Sequence, residues 1–406
     1  MLRSGPWVIL FLAIRGLRQY AFSSAVASLA IALAGGLFLG TWKIKEEAKN
    51  AFSRSSGGYD AVLGARGSKL QLVLNGLFHL EASPGNLSWE QYELIRDTRG
   101  VSEAYPIAVG DNYHGFRLVG TLAEMFEKHE WREDRKYVVQ SGGRLFTDNA
   151  KEALVGAFVA RKLGLKVGDN FHPYHGLTFK EEAKHEDLYV VVGILEATGT
   201  PSDKVIWIPI KGIQLMDGHN PKTATDVSAV LLNLKGSAGF MLDMKYNKQG
   251  NVATFAWPVA GTLASFFERF VWFQRVLEII AYLVAFVAAC VILAILRNAM
   301  NERRREIAIL RSLGARRATV TAVVLAQAGL ITLLGIVGAA FAYLGIGFLA
   351  ASVVREQTGV LLEPFTYDPS FFYVPIGMLA IGLLSGLLPA LQAYRSDVAK
   401  NLVQQS

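Results

Sequence analysis

The chain of 406 residues has a single cysteine, Cys290, set inside an apolar run. No intrachain disulfide can form, so a disulfide-stapled scaffold is excluded. Charge is also scarce. Asp, Glu, Lys and Arg together make up 18% of the residues, against about a quarter in soluble proteins. Several motifs are missing as well: G-x-S-x-G, H-E-x-x-H, C-x-x-C and the phosphate-cradling G-x-x-x-x-G-K-[ST] do not occur. The nearest look-alike of the last, residues 64–69 (GARGSK), has the wrong spacing and reads as a flexible loop. Hydrolase, zinc-protease and thiol-redox chemistry therefore have no foothold. The sequence indicates no enzyme acting alone and no nucleotide site of its own.

What the chain has in excess is apolar residues, 52% of the total, with a mean hydropathy of +0.30. That content excludes disorder, and the aperiodic glycine excludes a collagen-like fold. Stretches 21–42, 279–296, 318–354 and 369–394 contain no Asp, Glu, Lys or Arg. The first, 22 residues long, spans about 33 Å as a helix, which matches a hydrocarbon core of about 30 Å. It is longer than a signal-peptide core and lacks a clear cleavage pattern, so it reads as a retained helix. The second, of 18 residues, becomes sufficient with its flanks, where Trp272 and Tyr282 suit the interface. The third, of 37 residues, exceeds one straight crossing. It is expected to form a helix over about 318–345, followed by an apolar segment at the outer surface or by a re-entrant hairpin.

Basic residues beside the spans give the orientation. Arg3, Arg15 and Arg18 precede the first span, and Arg395 and Lys400 follow the fourth. Seven arginines lie between the second and third: Arg297, Arg303, Arg304, Arg305, Arg311, Arg316 and Arg317. Only Glu302, Glu306 and Asp397 oppose them, giving these segments +9 out of a chain total of +7 and leaving −2 elsewhere. These flanks are expected to be cytoplasmic, with both termini inside. The pI of about 9.3 thus reports topology and not nucleic-acid binding.

Three segments follow. Residues 1–42 form a cytoplasmic surface helix and the first span, 43–275 an extracytoplasmic domain, and 276–406 the remaining spans. The expected fold class is a membrane protein with four transmembrane α-helices and a large α+β extracytoplasmic domain between the first and second. Within 43–275, with an inner part at about 140–210, residues Leu188–Leu195 (LYVVVGIL) and Val205–Ile210 (VIWIPI) read as strands. Pro209 places the second at an edge or a strand end. Residues 152–170 read as strand, short helix and two glycine turns at Gly164 and Gly168. Trp89–Thr98 has helical spacing, with Ser88 as N-cap and Gln91 at the third helical position. Leu263–Arg275, apolar and aromatic at helical spacing, is expected to run into the second span, so that the domain hangs from two helices.

Residues 301–320 (NERRREIAILRSLGARRATV) resemble the cytoplasmic hinge of the MacB, LolC/LolE and FtsX group of ATP-binding cassette (ABC) transporter permeases. Residues 11–31 resemble that group's opening, a basic surface helix before the first span. Residues 141–169 with the downstream YVVVGIL resemble its G-R-x-F…L-G-L-K-V-G-D…V-V-G-I pattern. Residues 386–402 resemble its closing segment, except that Ser396-Asp397 stands where an Asp-Pro pair is usual.

This resemblance implies a coupling elbow at about 300–317 that seats in a cytoplasmic ABC ATPase subunit. Ile307, Leu310 and Leu313 form an apolar stripe on it, while Arg304, Arg305, Glu306 and Arg311 point elsewhere, and Arg303 belongs to the same coupling set. Gly314 suits a helix C-terminus, and a second short helix begins near Ala315, Arg316 and Arg317. ATP and Mg2+ would be bound by the partner, with no cofactor in this chain. Two permease copies are implied in a bacterial inner membrane, with a periplasmic adaptor or substrate protein as a further partner. The pairs Gly36/Gly40 and Gly382/Gly386 have the spacing for close helix packing.

The implied function is that of a permease subunit coupling ATP hydrolysis to movement of its periplasmic domain. That movement would drive export or extraction of a lipid, lipoprotein, peptide or small molecule. Two alternatives stand beside it: FtsX-like signalling to a periplasmic partner without transport, and a component of a zinc-linked ABC system. All seven histidines (His79, His114, His129, His172, His175, His185 and His219) lie in the outer domain. His172, His175 and His185 stand near Glu181, Glu182, Glu186 and Asp187, a plausible donor set for a transition metal. The competing account is that spans exclude histidine and that this loop is a solvated tip, so no metal is assigned.

Overall fold

The structure, a computed structural model of the chain, describes residues 5–217, 225–250, 252–269, 271–302, 309, 312 and 315–395. It divides into two compact units. One comprises Met1–Glu46, Val271–Ala350 and Pro364–Ser406, the other Glu47–Phe270 and Ala351–Glu363.

In the first unit, Pro6–Gln19 is a helix opened by Pro6, a residue pre-set for a first turn. Trp7 and Phe11 are exposed on it, and Ala13 and Gly16 are buried. The helices Ala21–Arg54, Val271–Glu302, Arg317–Thr358 and Ser370–Arg395 carry the four apolar stretches. Each of the four is long and apolar enough to cross a bilayer. Along the third, Ala328, Ile331, Thr332, Gly335 and Ala339 are buried, while Leu333, Leu334, Val337 and Phe341 are exposed. One stripe therefore packs on protein and the other suits lipid.

The third helix does not break near residue 345. It continues to Thr358 and ends where Gly359, at φ +79°, donates its N–H to the Arg355 carbonyl at 3.0 Å. The physical reason is that no proline interrupts 317–358, while Gly347 is covered by Phe365, 3.1 Å from where its Cβ would lie. Tyr343 stacks edge-on against Phe371 and donates its hydroxyl to the Pro364 carbonyl.

The second unit is built on a ten-stranded sheet. Its strands are β1 (Ala61–Ala65), β2 (Val101–Tyr113), β3 (Phe116–Thr121), β6 (Glu152–Val155), β7 (Asn170–Phe171), β8 (Tyr174–His175), β9 (Tyr189–Ile194), β10 (Ile206–Pro209), β11 (Ala229–Leu234) and β12 (Ala253–Ala256). A separate pair is formed by β4 (Glu130–Arg132) and β5 (Arg135–Lys136). The order is β12-β1-β11-β2-β3-β10-β6-β9-β7, with β8 added on β2. Most pairs are antiparallel, whereas β3/β10 and β6/β9 are parallel.

Successive side chains enter two cores. Val62, Trp207 and Leu231 pack on one face; Ala61, Leu63, Ile206, Ile208, Val230 and Leu232 pack on the other. Burial on both faces explains why β9 and β10 read as unbroken apolar runs instead of alternating ones. Pro209 sits at the last position of β10, an inner strand between β3 and β6. Ser88 caps Trp89–Arg96 in a reciprocal box with Gln91. Gly164, at φ +70°, ends the helix Ala157–Leu163.

Two segments differ from the sequence reading. Residues 64–69 are not a flexible loop but the end of β1, a turn, and the start of the helix Lys69–Gly76. They are held because the Gly67 N–H donates to Thr254 Oγ1 at 2.8 Å and Lys69 pairs with Asp243 at 2.9 Å. Residues 351–363, contiguous with the third span, belong to the second unit, so that unit does not hang from two helices only. Val360 and Leu362 are buried in the core that contains Trp207 and Tyr137. The Leu361 N–H donates to the Gly199 carbonyl at 3.3 Å, and Lys204 Nζ donates to the Gln357 carbonyl at 2.8 Å.

The glycine pairs face the third span within the same chain. A Cβ on Gly36 would lie 2.6 Å from Ala342 Cβ, one on Gly40 3.2 Å from Ile346, and one on Gly386 2.6 Å from Ala328 Cβ. A Cβ on Gly382 would overlap Thr332 Oγ1, whereas one on Gly377 meets nothing within 4 Å. Gly382→Ala is therefore expected to cost about 1–3 kcal/mol through overpacking. It should lower the unfolding temperature of the detergent-purified chain, and Gly377→Ala should leave it unchanged.

Candidate functional site

Of the predicted coupling residues, Arg303, Arg304, Arg305, Glu306, Ile307, Leu310, Arg311, Leu313 and Gly314 lie outside the described residues. Ala315 and Arg316 precede the third helix, and Arg317 opens it. The flanks of the elbow are tied to the ends of the other spans. Tyr20, where the first span begins, donates its hydroxyl to Glu302, where the second ends. Asn298 Nδ2 donates to the same carboxylate at 3.0 Å. The Arg317 guanidinium lies 5.7 Å from the ring centre of Tyr394 at the end of the fourth helix. Thr321 Oγ1 donates to the Ala390 carbonyl at 3.4 Å. The described residues on either side of this segment thus pair the start of the first span with the end of the second, and the start of the third with the end of the fourth.

Between the spans lies an apolar gap of about 30 Å³, lined by Ile31, Ala288, Ile292, Met378 and Gly382 among others. That is room for about one water-sized body and has no polar partners to hold it.

In the second unit the histidines separate into distinct environments. His79, at φ +53°, is buried edge-on against Trp207. Burial lowers its imidazole to about 3, the Arg117 charge adds to this, and a hydrogen bond to the Asn75 backbone opposes it. His129 is buried and stacked on Tyr59, with Nδ1 2.8 Å from Glu103 Oε2 and Nε2 2.6 Å from the Gly57 carbonyl. His114, at φ +47°, turns the β2–β3 hairpin with Gly115. His219 lies outside the described residues.

Of the three candidate ligands, the fold gathers two. His172 Nδ1 lies 3.0 Å from the Asp187 carbonyl and is apart from the others. His175 and His185 converge on Asp111, a residue the sequence reading did not single out. Strand β2 has a bulge between Val109 and Asp111, and β8 pairs Asp111 with His175. The His185 N–H donates to the Pro173 carbonyl at 2.9 Å, which brings the far end of the loop back to β8. Asp111 Oδ1 is 3.4 Å from His175 Nδ1 and 3.2 Å from His185 Nε2. Nearby is a cavity of about 290 Å³ bordered by Asp148, Lys151, Asp187, Tyr189 and Lys211. Its lysines are engaged, Lys151 with Asp187 and Lys211 with Asn149 Oδ1 at 2.9 Å.

Residues 24–239, more than half of the chain, match the family described as MacB-like periplasmic core domain. Residues 278–398 match the FtsX-like permease C-terminal family. The chain therefore belongs to the FtsX-like permeases with a MacB-like periplasmic core domain, a membrane component of ABC transporters. Members of these families are transmembrane subunits and not themselves enzymes, and they act in complexes with an ATPase partner.

Among solved structures, the extracellular domain of the noncanonic ABC-type transporter YknZ from Gram-positive bacteria is similar at 18% identity. The match covers 45% of this chain and 86% of that one, with a TM-score of 0.28. The periplasmic region of MacB from Actinobacillus actinomycetemcomitans is 10% identical over 52% of this chain and 94% of its own, with a TM-score of 0.33. No curated protein matches the chain.

The buried neutral His79 makes a pH prediction. Its folded value, about 3, lies below the ordinary 6.5, so the unfolded chain binds more protons between them. Stability is full above 6.5 and falls as pH drops toward 3, by at most about 1.4 kcal/mol per pH unit for one group. His79→Asn, a side chain that tolerates the left-handed backbone, should flatten the acid side of the unfolding-temperature profile. Superimposable profiles would rule out His79 as the titrating group.

Proposed function

We propose that the chain converts ATP hydrolysis by a separate cytoplasmic ATPase into movement of its extracytoplasmic domain, and so drives export or extraction of a lipid, lipoprotein, peptide or small molecule. The reading places the arginine-rich flanks and both termini on the cytoplasmic side of a bacterial inner membrane. ATP and Mg2+ belong to the ATPase, and a second permease copy completes the assembly.

The observation that carries this reading is the third helix. It starts at Arg317, directly after the elbow, and runs 42 residues to Thr358, about 63 Å at 1.5 Å per residue. The residues that follow it, Val360 and Leu362, are buried in the core of the outer unit. One covalent element therefore begins where the ATPase would push and ends where the outer domain is packed. The absence of Asp, Glu, Lys and Arg from the stretches 21–42, 279–296, 318–354 and 369–394 favours transmission of force over a hydrophilic channel.

Glu306→Lys and Gly314→Val test the coupling. Either variant should insert normally and bind the ATPase. In a reconstituted complex it should lose the nucleotide-dependent signal of a fluorophore placed on the outer domain at Val167→Cys, in a Cys290→Ser background. Hydrolysis would then continue without movement. A nucleotide-dependent signal equal to that of the parent would refute a coupling role for the elbow.

A further inference from the structure

We propose that Asp111, His175 and His185 form a binding site for a divalent transition-metal cation of the zinc type on the outer domain. The three ligand atoms lie within 4.8 Å of one another. In a tetrahedral zinc site, bonds of about 2.0–2.1 Å to nitrogen and oxygen put neighbouring ligand atoms about 3.3 Å apart. Asp111 Oδ1 is 3.4 Å from His175 Nδ1 and 3.2 Å from His185 Nε2. Imidazole with carboxylate is also the donor chemistry such ions take.

The tautomer of His185 strengthens the assignment. Its Nδ1 lies 2.8 Å from the Asp217 carbonyl, which accepts only, so Nδ1 carries the proton. In the neutral ring, Nε2 then presents a lone pair to the carboxylate oxygen beside it, and a cation between two acceptors satisfies both. This is the outer-shell arrangement that orients metal-ligating histidines.

The geometry is set by the backbone before any ion arrives. The β2 bulge and the β2–β8 register place Asp111 opposite His175. Gly176 N–H donates to the Gly110 carbonyl at 2.9 Å, and Asn112 Nδ2 donates to the Gly176 carbonyl at 2.8 Å. Asp111 is fully buried, whereas the side chain of His175 is 60% exposed. The ion would enter from solvent past His175, and a water would complete its shell.

The test is titration of the full chain in detergent, stripped with a chelator, with Zn2+ by calorimetry and with Co2+ by its visible absorption bands. Expected is one saturating equivalent per chain, a tetrahedral Co2+ spectrum, and displacement of Co2+ by Zn2+. His175→Ala removes an exposed ligand and should preserve the metal-free unfolding temperature. It should weaken binding at least about tenfold, as should Asp111→Asn, while His172→Ala should bind like the parent. Absence of saturable binding, or equal affinity in all variants, would overturn the site and leave an imidazolium–carboxylate ion pair. None of these readouts depends on transport or on an ATPase, so failure here is separable from failure of the proposed function.

Discussion

Lipid tails are as apolar as leucine, so helices in a bilayer gain little from burying apolar surface against each other. They hold by van der Waals contact at short range and by a few internal hydrogen bonds. This constraint organises the membrane unit around the third span. Gly36 and Gly40 of the first span and Gly382 and Gly386 of the fourth let the backbones come close to Ala342, Ile346, Thr332 and Ala328. Thr332 is fully buried and donates its hydroxyl to the Ala328 carbonyl at 2.8 Å, so its polarity is satisfied inside its own helix. A methyl group added at any of these glycines first meets a Cβ or a β-branched side chain rather than the end of a flexible one. The spans are thereby fixed by shape, and charge is left for their ends.

Close backbone approach also explains the motifs in the outer domain. Gly143 lies against Gly193, 2.9 Å from where its Cβ would be to the Gly193 Cα, and a Cβ on Gly193 would overlap the Arg144 carbonyl. The Arg144 N–H donates to the Val192 carbonyl at 2.9 Å, and its guanidinium pairs with Glu152. A Cβ on Gly156 would overlap the carbonyls of Asp203 and Ser202. Asp203 in turn accepts from the backbones of Thr198 and Gly199, both at 2.9 Å, and the Gly199 carbonyl receives Leu361. The G-R-x-F and V-V-G-I elements that carry the family resemblance are architectural. They align β6, β9 and the loop on which residues 359–363 rest.

Local signals in the sequence were legible wherever a single short-range interaction decides the outcome. Ser88 with Gln91 marks a helix start, Gly164 a helix end, and uncharged runs mark the spans. What was not legible depends on partners distant in sequence. Nothing near Val360 and Leu362 announces that they are buried with Trp207, because an apolar segment after a span reads equally well as membrane surface. Residues 64–69 look loose until Thr254 and Asp243, far along the chain, supply the partners that order them. Asp111 was missed for the same reason. It joins His175 and His185 through a strand pairing and a bulge, neither of which has a residue-level signature. The contacts that join the span ends, Glu302 with Tyr20 and Arg317 with Tyr394, likewise link residues far apart in the sequence.

The excursion between β7 and β9 is fastened to the sheet by polar contacts. Residues 174–184 contain no buried side chain, so the hydrophobic core does not fix them. A disulfide is the usual fastening for such a loop in an extracytoplasmic domain, but this chain has one cysteine, and it lies in the second span. The polar clip to the β2 bulge takes that place through Asn112, Gly110 and the convergence of His175 and His185 on Asp111. An ion at that convergence would bind the two ends of the excursion to a central strand. Its effect would be the same in kind as a covalent cross-link, a smaller set of conformations for the loop to lose on folding, but it would be reversible with the metal supply outside the membrane.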